Sequence, residues 1–230
     1  MATNVKPEDL NYDHYETAKY DKDIVRSIPG HVELHKAIDQ IVRKNLKGNP
    51  QILELGVGTG LTTLRILKNL PKARFTVVDF SKTMLDGARR KLHKYKVNYL
   101  CGDYAKLKLS QHNDVVLSVI GLHHQETDND KKKLFKKIYS SLKKGGIFIF
   151  GDLVTFKNLA VASLNDAYHF HYLVEHAEDE KSLKEWAYHH KHLNKLAPLE
   201  NQVAWLKGVG FKKVEVVFKK FNTALIVAEK

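Results

Sequence analysis

Short apolar runs alternate with amphipathic segments through the middle of the chain. The runs have the length of buried strands, and the segments between them place apolar residues three or four positions apart, which is the period of a helix. The predicted strands are Gln51–Leu55, Arg74–Asp79, Val97–Leu100, Asp114–Ile120 and Gly146–Asp152. The predicted helices are Leu61–Leu70, Thr83–Lys94 and Asp130–Leu142. This alternation predicts right-handed crossovers and a mostly parallel sheet with helices on both faces.

The flanking segments complete the pattern. Tyr12–Arg26 and His31–Leu46 predict an N-terminal helical lid over residues 12–46, and the aromatic and histidine residues in 155–196 predict an inserted helical pair for the substrate. A helix at Leu199–Val209 and an antiparallel hairpin of Lys212–Phe218 and Ala224–Ala228 follow. The prediction is one α/β domain over residues 1–230. Its sheet has seven strands, with the last antiparallel and the helical insert before the sixth.

Composition and charge narrow the class of protein. The 230 residues are 43% hydrophobic and 28% charged, which is ordinary for a globular chain and excludes collagen-like or fully disordered sequences. Cys101 is the one cysteine, so an internal disulfide is excluded. No apolar run approaches the roughly 20 residues of a membrane span, and we expect a cytoplasmic protein with no membrane partner. The net charge of +12 permits an RNA partner, although lysines spread along the chain favour a solvated surface.

A glycine-rich loop follows the first predicted strand of the alternating region. Gly56, Gly58 and Gly60 lie between that strand and the next helix, where glycine allows a tight turn and close contact with a ligand. Asp79 ends the next predicted strand, and an acid at that position accepts hydrogen bonds from ribose hydroxyls. The loop therefore predicts a nucleoside-containing ligand.

Two residues argue against a dinucleotide-dependent oxidoreductase. Leu61 stands where the dinucleotide fingerprint has its third glycine, and Glu54 lies on the strand that leads into the loop. An acid there suits a cationic ligand better than a pyrophosphate. S-adenosylmethionine carries a sulfonium and an ammonium group and no phosphate.

Further candidate residues follow the other predicted strands. Asp103 and Tyr104 come after the third strand and are placed to contact an adenine, and Ser118 lies near the end of the fourth strand. The carboxyl ends of parallel strands share one edge of a sheet. We therefore expect all of these side chains at one rim.

Together these features resemble the class I S-adenosylmethionine-dependent methyltransferases. The resemblance covers about residues 12–230 and includes the turn Leu142–Gly146 and the closing hairpin. It implies a Rossmann-like methyltransferase fold and methyl transfer from S-adenosylmethionine, with S-adenosylhomocysteine as product. The cofactor-binding residues that it implies are Arg26, His31, Glu54, Gly56, Gly58, Asp79, Phe80, Asp103, Tyr104 and Ser118.

Three segments are similar to one branch of this family, which contains the carboxy-S-adenosylmethionine synthase of tRNA wobble-uridine modification. They are Arg26–Gly30, the stretch around Lys136–Tyr139 and the ending Gly210–Asn222. That branch has a tyrosine in place of His31 and an insert arginine that holds the extra carboxylate of its product. The corresponding stretch here, Ala187–Lys191, contains no arginine, which favours plain S-adenosylmethionine.

No catalytic residue is assigned from the sequence. Candidates for a general base are His123, His124, Tyr188 and His189, and the alternative is that they form the pocket wall. His171 with Glu175, and Glu185 with His189, have the spacing of two ligands on one helix face, and His190 lies beside them. We expect no metal, because an aromatic-rich helical lid explains the same histidines.

Three functions stay open at this point. The first is methylation of a small molecule by a monomer or homodimer. The second is modification of tRNA or another RNA, including the carboxy-S-adenosylmethionine type of reaction. The third is cofactor binding without methyl transfer.

Overall fold

The computed structural model describes residues 12–14 and 16–230, so residues 1–11 of the predicted domain lie outside the described residues. The strands are β1 (Gln51–Leu55), β2 (Arg74–Asp79), β3 (Val97–Cys101), β4 (Asn113–Val119), β5 (Leu142–Leu153), β6 (Lys213–Lys220) and β7 (Thr223–Glu229). The helices are α1 (Thr17–Ser27), α2 (His31–Asn45), α3 (Leu61–Asn69), α4 (Lys82–Lys91), α5 (Asp128–Ser141), α6 (Leu159–His176), α7 (Glu180–Tyr188) and α8 (Leu199–Val209).

The strands form one seven-stranded sheet in the order β3-β2-β1-β4-β5-β7-β6. Pairs from β3 through β5 are parallel, and β7 is antiparallel to both β5 and β6. The predicted fold class is confirmed, including the antiparallel last strand. The chain runs outward from β1 to β3 and then returns to the other side of β1 as β4. Ligands bind at this switch point, beyond the carboxyl ends of the strands.

Both faces of the sheet are covered by helices. Alternate residues of a strand point to opposite faces, so Ile52 packs in a core with residues of α2, α3 and α4. Leu53 packs on the other face with Phe135 of α5 and Leu206 of α8. Each of these four side chains is at most 1% exposed, and burial of such a side chain contributes about 1.5–3 kcal/mol. The strands that carry the rim are therefore firmly held.

The fifth strand starts earlier than the sequence predicts. β5 begins at Leu142, which pairs with Asn113, and the register then shifts so that Val115 pairs with Ile147. The intervening turn includes Gly145 at φ 72°, in the left-handed region. Helix α5 consequently ends at Ser141, one residue before the predicted end.

Helices α1, α6 and α7 lie together beyond the carboxyl edge of the sheet. The Arg26 guanidinium of α1 pairs with Glu178 between α6 and α7, and its Nε donates to the carbonyl of His176 at 3.0 Å. Nδ1 of His169 in α6 lies 2.7 Å from Oδ1 of Asn222, a residue of the turn between β6 and β7. These contacts join the N-terminal helix and the residue 155–196 segment over one rim. Within residues 12–14 and 16–230, no helix is long and apolar enough to cross a membrane.

Candidate active site

The glycine loop closes tightly over the end of β1. The amides of Gly56 and Val57 donate to the carbonyl of Val78 at 2.8 and 3.0 Å, which fastens the loop to β2. Gly60 has φ 83°, and a Cβ there would lie 3.1 Å from Leu92, so a side chain would be both strained and crowded. The loop conformation therefore depends on glycine, as the sequence predicts.

A cavity of about 510 Å³ lies above this loop. Its volume is in the range of small-molecule sites. It is lined by eight of the ten predicted cofactor residues: His31, Glu54, Gly56, Gly58, Asp79, Phe80, Asp103 and Tyr104. We call it the cofactor cavity.

Asp79 joins the glycine loop to the end of β2. Its Oδ2 accepts from the amide of Gly58 at 2.8 Å, and its Oδ1 accepts from the amide of Ser81 at 3.0 Å. Burial raises the pKa of Asp79 to about 6, against the lowering effect of these hydrogen bonds. The carboxylate thus lies on the cavity wall where a ribose would contact it.

Glu54 is the most deeply buried acid of the cavity, with 1% of its surface exposed. The Thr63 hydroxyl donates to its carboxyl group. Burial raises the pKa of Glu54 to about 8, which the Thr63 hydrogen bond only partly offsets and the nearby Asp79 reinforces. A cationic ligand in the cavity would favour the ionised form and would be bound more tightly in return.

Asp103 and Tyr104 form the opposite end of the cofactor cavity. Asp103 accepts from the amide of Ala105 at 2.8 Å, so the turn after β3 holds its carboxylate in place. The Tyr104 hydroxyl donates to the carbonyl of Gly121 at 3.0 Å, and burial raises the pKa of Tyr104 above its ordinary value. The two side chains have fixed positions, as recognition of a flat base requires.

Arg26 and Ser118 lie outside the lining of the cofactor cavity. Arg26 is engaged by Glu178, and the Ser118 hydroxyl donates to the carbonyl of Leu55 at 2.8 Å, joining β4 to β1. His31 does line the cavity, and burial together with His35 lowers its pKa to about 3. A neutral His31 contacts a ligand by hydrogen bonding and not by ion pairing.

A smaller cavity of about 80 Å³ adjoins the cofactor cavity. The two share five lining residues: Tyr12, Tyr20, Ile24, Ile120 and His124. We call the smaller one the inner chamber. Ile120 has φ 51°, which is unusual for a β-branched residue, and its amide donates to the carbonyl of Gly151 at 2.7 Å. Such backbone strain is characteristic of functional sites.

A buried histidine–aspartate pair lies on the wall of the inner chamber. His123 Nδ1 is hydrogen-bonded to Asp152, whose carboxylate also accepts from the amides of His123 at 2.8 Å and Leu153 at 2.9 Å. Both side chains are at most 2% exposed. Since an ionised carboxylate only accepts, His123 carries its proton on Nδ1, and Nε2 is left with a free lone pair. This arrangement suits a general base.

The neighbouring His124 has a different environment. Its Nε2 is 3.1 Å from the Tyr12 hydroxyl, and its ring centroid is 4.0 Å from that of His123. Burial is the main cause that lowers the pKa of His124. Burial likewise lowers the pKa of His189, which lines the same chamber, to about 4. Both rings are therefore neutral. Neither Tyr12 nor Asp152 is among the site residues predicted from the sequence, although Asp152 ends a predicted strand at the same rim as the other acids.

Of the remaining predicted residues, Glu185 and His190 line the inner chamber together with His189, whereas Tyr188, His171 and Glu175 do not. Tyr188 is 60% exposed and lines neither cavity. His171 Nδ1 and Glu175 Oε1 lie 3.5 Å apart, both exposed, whereas His190 in the chamber bonds Asp166 at 2.6 Å. In the part of the chain that the structure describes, no group of three or more His, Cys, Asp or Glu residues could hold a metal ion.

The fold, the glycine loop and the acids at the rim define the class of protein. The chain is a class I S-adenosylmethionine-dependent methyltransferase, with S-adenosylmethionine as its cofactor. Residues 52–146 match the family model described as a methyltransferase domain. The resemblance stated from the sequence is thereby confirmed.

The chain is similar over nearly its whole length to proteins named carboxy-S-adenosyl-L-methionine synthase. It is 27% identical to the one from Shewanella woodyi, over 96% of this chain and 93% of that protein. It is 28% identical to the one from Campylobacter fetus, over 96% and 94%. These matches agree with the similarity of the three sequence segments to the branch that contains carboxy-S-adenosylmethionine synthase.

Solved structures share the fold at lower identity. Phosphoethanolamine N-methyltransferase 2 of Haemonchus contortus, in complex with S-adenosyl-L-methionine, matches with a TM-score of 0.68 and 20% identity. The match covers 97% of this chain and 59% of that one. A putative O-methyltransferase from Nostoc punctiforme matches with a TM-score of 0.64 and 19% identity, over 87% of this chain and 56% of that one.

Proposed function

We propose that the protein transfers a methyl group from S-adenosylmethionine to a small-molecule acceptor bound in the inner chamber. The observation that carries this proposal is the chamber itself, which shares a wall with the cofactor cavity and is lined by His123, the partner of Asp152. A volume of about 80 Å³ suits a molecule of a few non-hydrogen atoms, since a water molecule takes about 30 Å³.

The residues of the cofactor cavity fit the charge and shape of S-adenosylmethionine. Glu54 and Asp79 offer carboxylates to its cationic and hydroxyl groups, and Asp103 with Tyr104 offers an acceptor and a flat face to its adenine. When bound, it supplies a methyl group activated by positive sulfur. The protein contributes alignment of the acceptor and exclusion of water, because in-line displacement needs little further chemistry.

His123 is our proposed general base. Asp152 orients its ring, keeps the lone pair on Nε2 and stabilises the imidazolium that forms when a proton is taken. His124 and His189 are weaker bases, because burial lowers the pKa of each. Tyr12, bound to His124, closes the chamber toward the N-terminal helices. Arg26 contributes by holding α1 against the insert, which is the lid function in this proposal.

His123→Gln and Asp152→Asn test the assignment. We expect both to lower kcat by about 10²–10⁴-fold, the usual contribution of a general base, while calorimetry finds S-adenosylmethionine bound as in the wild type. His93→Gln is the control, because His93 lies outside both cavities and bonds the carbonyl of Arg90. Wild-type turnover by His123→Gln would exclude His123 as the base, and wild-type turnover by Asp152→Asn would exclude the orienting role of Asp152.

A second candidate is the carboxy-S-adenosylmethionine type of reaction, supported by the full-length similarity to proteins of that name. Against it, no lysine or arginine of the described residues lines the inner chamber, where a second carboxylate would need one. Mass spectrometry of the nucleoside released from the purified, turned-over enzyme decides between the two. S-adenosylhomocysteine supports methyl transfer, and a carboxylated sulfonium supports the second candidate.

RNA as acceptor is a third possibility, supported by the net charge of +12. Incubation of the enzyme with bulk tRNA and labelled cofactor at low and at high salt tests it. RNA binding through phosphates weakens steeply with salt, so labelling of the tRNA should fall as salt is raised. We place the protein in the cytoplasm as a monomer or homodimer, and the exposed, unpaired Cys101 is consistent with a reducing compartment.

A further inference from the structure

The inner chamber has an unusual charge pattern. Asp23 of α1 and Glu185 of α7 supply two carboxylates to its wall, and none of its described lining residues is a lysine or arginine. Within the described part of the chain, the Asp23 carboxylate has no ion-pair partner. Glu185 has only a loose one, Lys181 at 4.0 Å on the surface. The lining of the chamber therefore carries two carboxylates and no lysine or arginine of its own.

The histidines of the chamber do not supply the missing cation. Burial lowers the pKa of His169 to about 3 and that of His189 to about 4, so both are neutral. His123 and His190 each bond a carboxylate of their own, Asp152 and Asp166. Burial also raises the pKa of Asp23, with Glu178 and Glu185 adding to the effect while Lys19 and Arg26 oppose it. A bound cation would relieve this cost.

The chamber also lacks a hydrogen-bond donor for one of its acceptors. Oδ1 of Asn194 is buried and has no hydrogen-bond partner among the described residues, while its Nδ2 lies 3.4 Å from Nδ1 of His190. A buried carbonyl without a donor costs about 1–3 kcal/mol, which a ligand bearing an N–H group would recover. Tyr12, Tyr20 and Trp186 complete the wall with aromatic surface, which attracts organic cations.

We propose that the methyl acceptor is a small aliphatic amine, bound as its ammonium ion by Asp23, Glu185 and Asn194. This inference rests on the proposed methyl transfer and names its substrate class. The carboxylates offset the repulsion between an ammonium ion in the chamber and the sulfonium group in the adjoining cofactor cavity. The ammonium nitrogen loses one proton to Nε2 of His123, and its freed lone pair forms the bond to the methyl carbon. The electron pair of the broken C–S bond stays on sulfur, which leaves a neutral thioether and a methylated ammonium ion.

Three matched probes test the charge preference: propylamine, 1-propanol and propionate, each titrated calorimetrically into the enzyme saturated with S-adenosylhomocysteine. We expect binding of propylamine and at least tenfold weaker binding of the other two. With S-adenosylmethionine present, propylamine should give S-adenosylhomocysteine and N-methylpropylamine. Preferential binding of propionate or propanol, or no binding of propylamine, would overturn the inference.

Two variants locate the binding site. Asp23→Asn and Glu185→Gln should each raise the KM for propylamine at least fivefold and change kcat less, because they remove binding charge and not the base. Glu180→Gln is the matched control, since Glu180 is an exposed acid of the same helix α7 that pairs with Lys184. If a neutral or acidic acceptor is methylated, the amine assignment fails and methyl transfer stands. If the product is a carboxylated sulfonium, the proposed function itself fails.

Discussion

The protonation state of Glu54 gives the sharpest test of the site's electrostatics. Glu54 is 1% exposed, and the neutral hydroxyl of Thr63 donates a hydrogen bond to its carboxyl group. Burial raises the pKa of this carboxyl from an ordinary 4.5 to about 8. Glu54→Gln keeps the size of the side chain and removes its titration.

The sign of the effect follows from proton binding. Between pH 4.5 and about 8, the folded protein holds a proton on Glu54 that the unfolded chain has released. The unfolded state therefore binds fewer protons, and the stability contributed by this group falls as pH rises through that window. The slope is about 1.4 kcal/mol per pH unit, so the change over two units is roughly 3 kcal/mol. Glutamine has no such slope.

Urea unfolding without cofactor, at about pH 5.5 and about pH 7.5, measures this difference. Relative to the wild type, Glu54→Gln should gain roughly 3 kcal/mol between the two pH values. Asp79, whose pKa is also raised, titrates in both proteins and largely cancels. The exposed control Glu180→Gln should differ from the wild type by the same amount at both pH values. A constant difference for Glu54→Gln as well would refute a protonated, buried Glu54.

Two further changes test the loop and the lid. Asp79→Ala should weaken S-adenosylmethionine binding by about 1–3 kcal/mol in calorimetry, because hydrogen bonds to the ligand are lost. The control is Asp86→Ala, at a surface ion pair with Lys82, which should leave the affinity unchanged. Equal affinity of both variants would contradict the ribose assignment. Gly30→Ala should lower the free energy of unfolding by about 2–5 kcal/mol, since Gly30 has φ 74° and its Cβ would lie 2.8 Å from Phe218. Gly48 has φ 69°, and no atom lies within 4 Å of where its Cβ would be, so Gly48→Ala should lower the free energy of unfolding by only about 1–2 kcal/mol in the same urea titration. Equal losses for the two variants would mean that the crowding at Gly30 is relieved.

The cofactor half of the site could be predicted because its residues follow one another in the sequence. Glu54, the glycines and Asp79 lie on two consecutive strands and the loop between them, so the alternating pattern alone places them at one rim. Arg26 shows where such reasoning stops. The family resemblance implied a cofactor contact for Arg26, whereas its partner in the structure is Glu178, 152 residues further along the chain. No local pattern identifies a partner at that separation.

The inner chamber could not be predicted for the same reason. His123, in the turn after β4, and Asp152, in β5, are 29 residues apart, and their pairing depends on the register of β4 and β5. That register includes the shift after Asn113, which the apolar pattern does not reveal. The histidines of 155–196 were visible as a group. Their division into buried chamber residues such as His169 and exposed ones such as His171 requires the packed helices.

The order of the strands explains why both cavities depend on the segment after β4. That strand lies between β1, which leads into the glycine loop, and β5, which carries Asp152 beside its last residue, Leu153. The residues that follow it therefore reach both sites: Ile120 and His124 line both cavities, and His123 binds Asp152. The hydrogen bond from Ile120 to Gly151 holds the strained backbone at this junction. The proposed base is thus positioned by the same turn that borders the cofactor, so a single segment sets the distance between proton removal and methyl transfer.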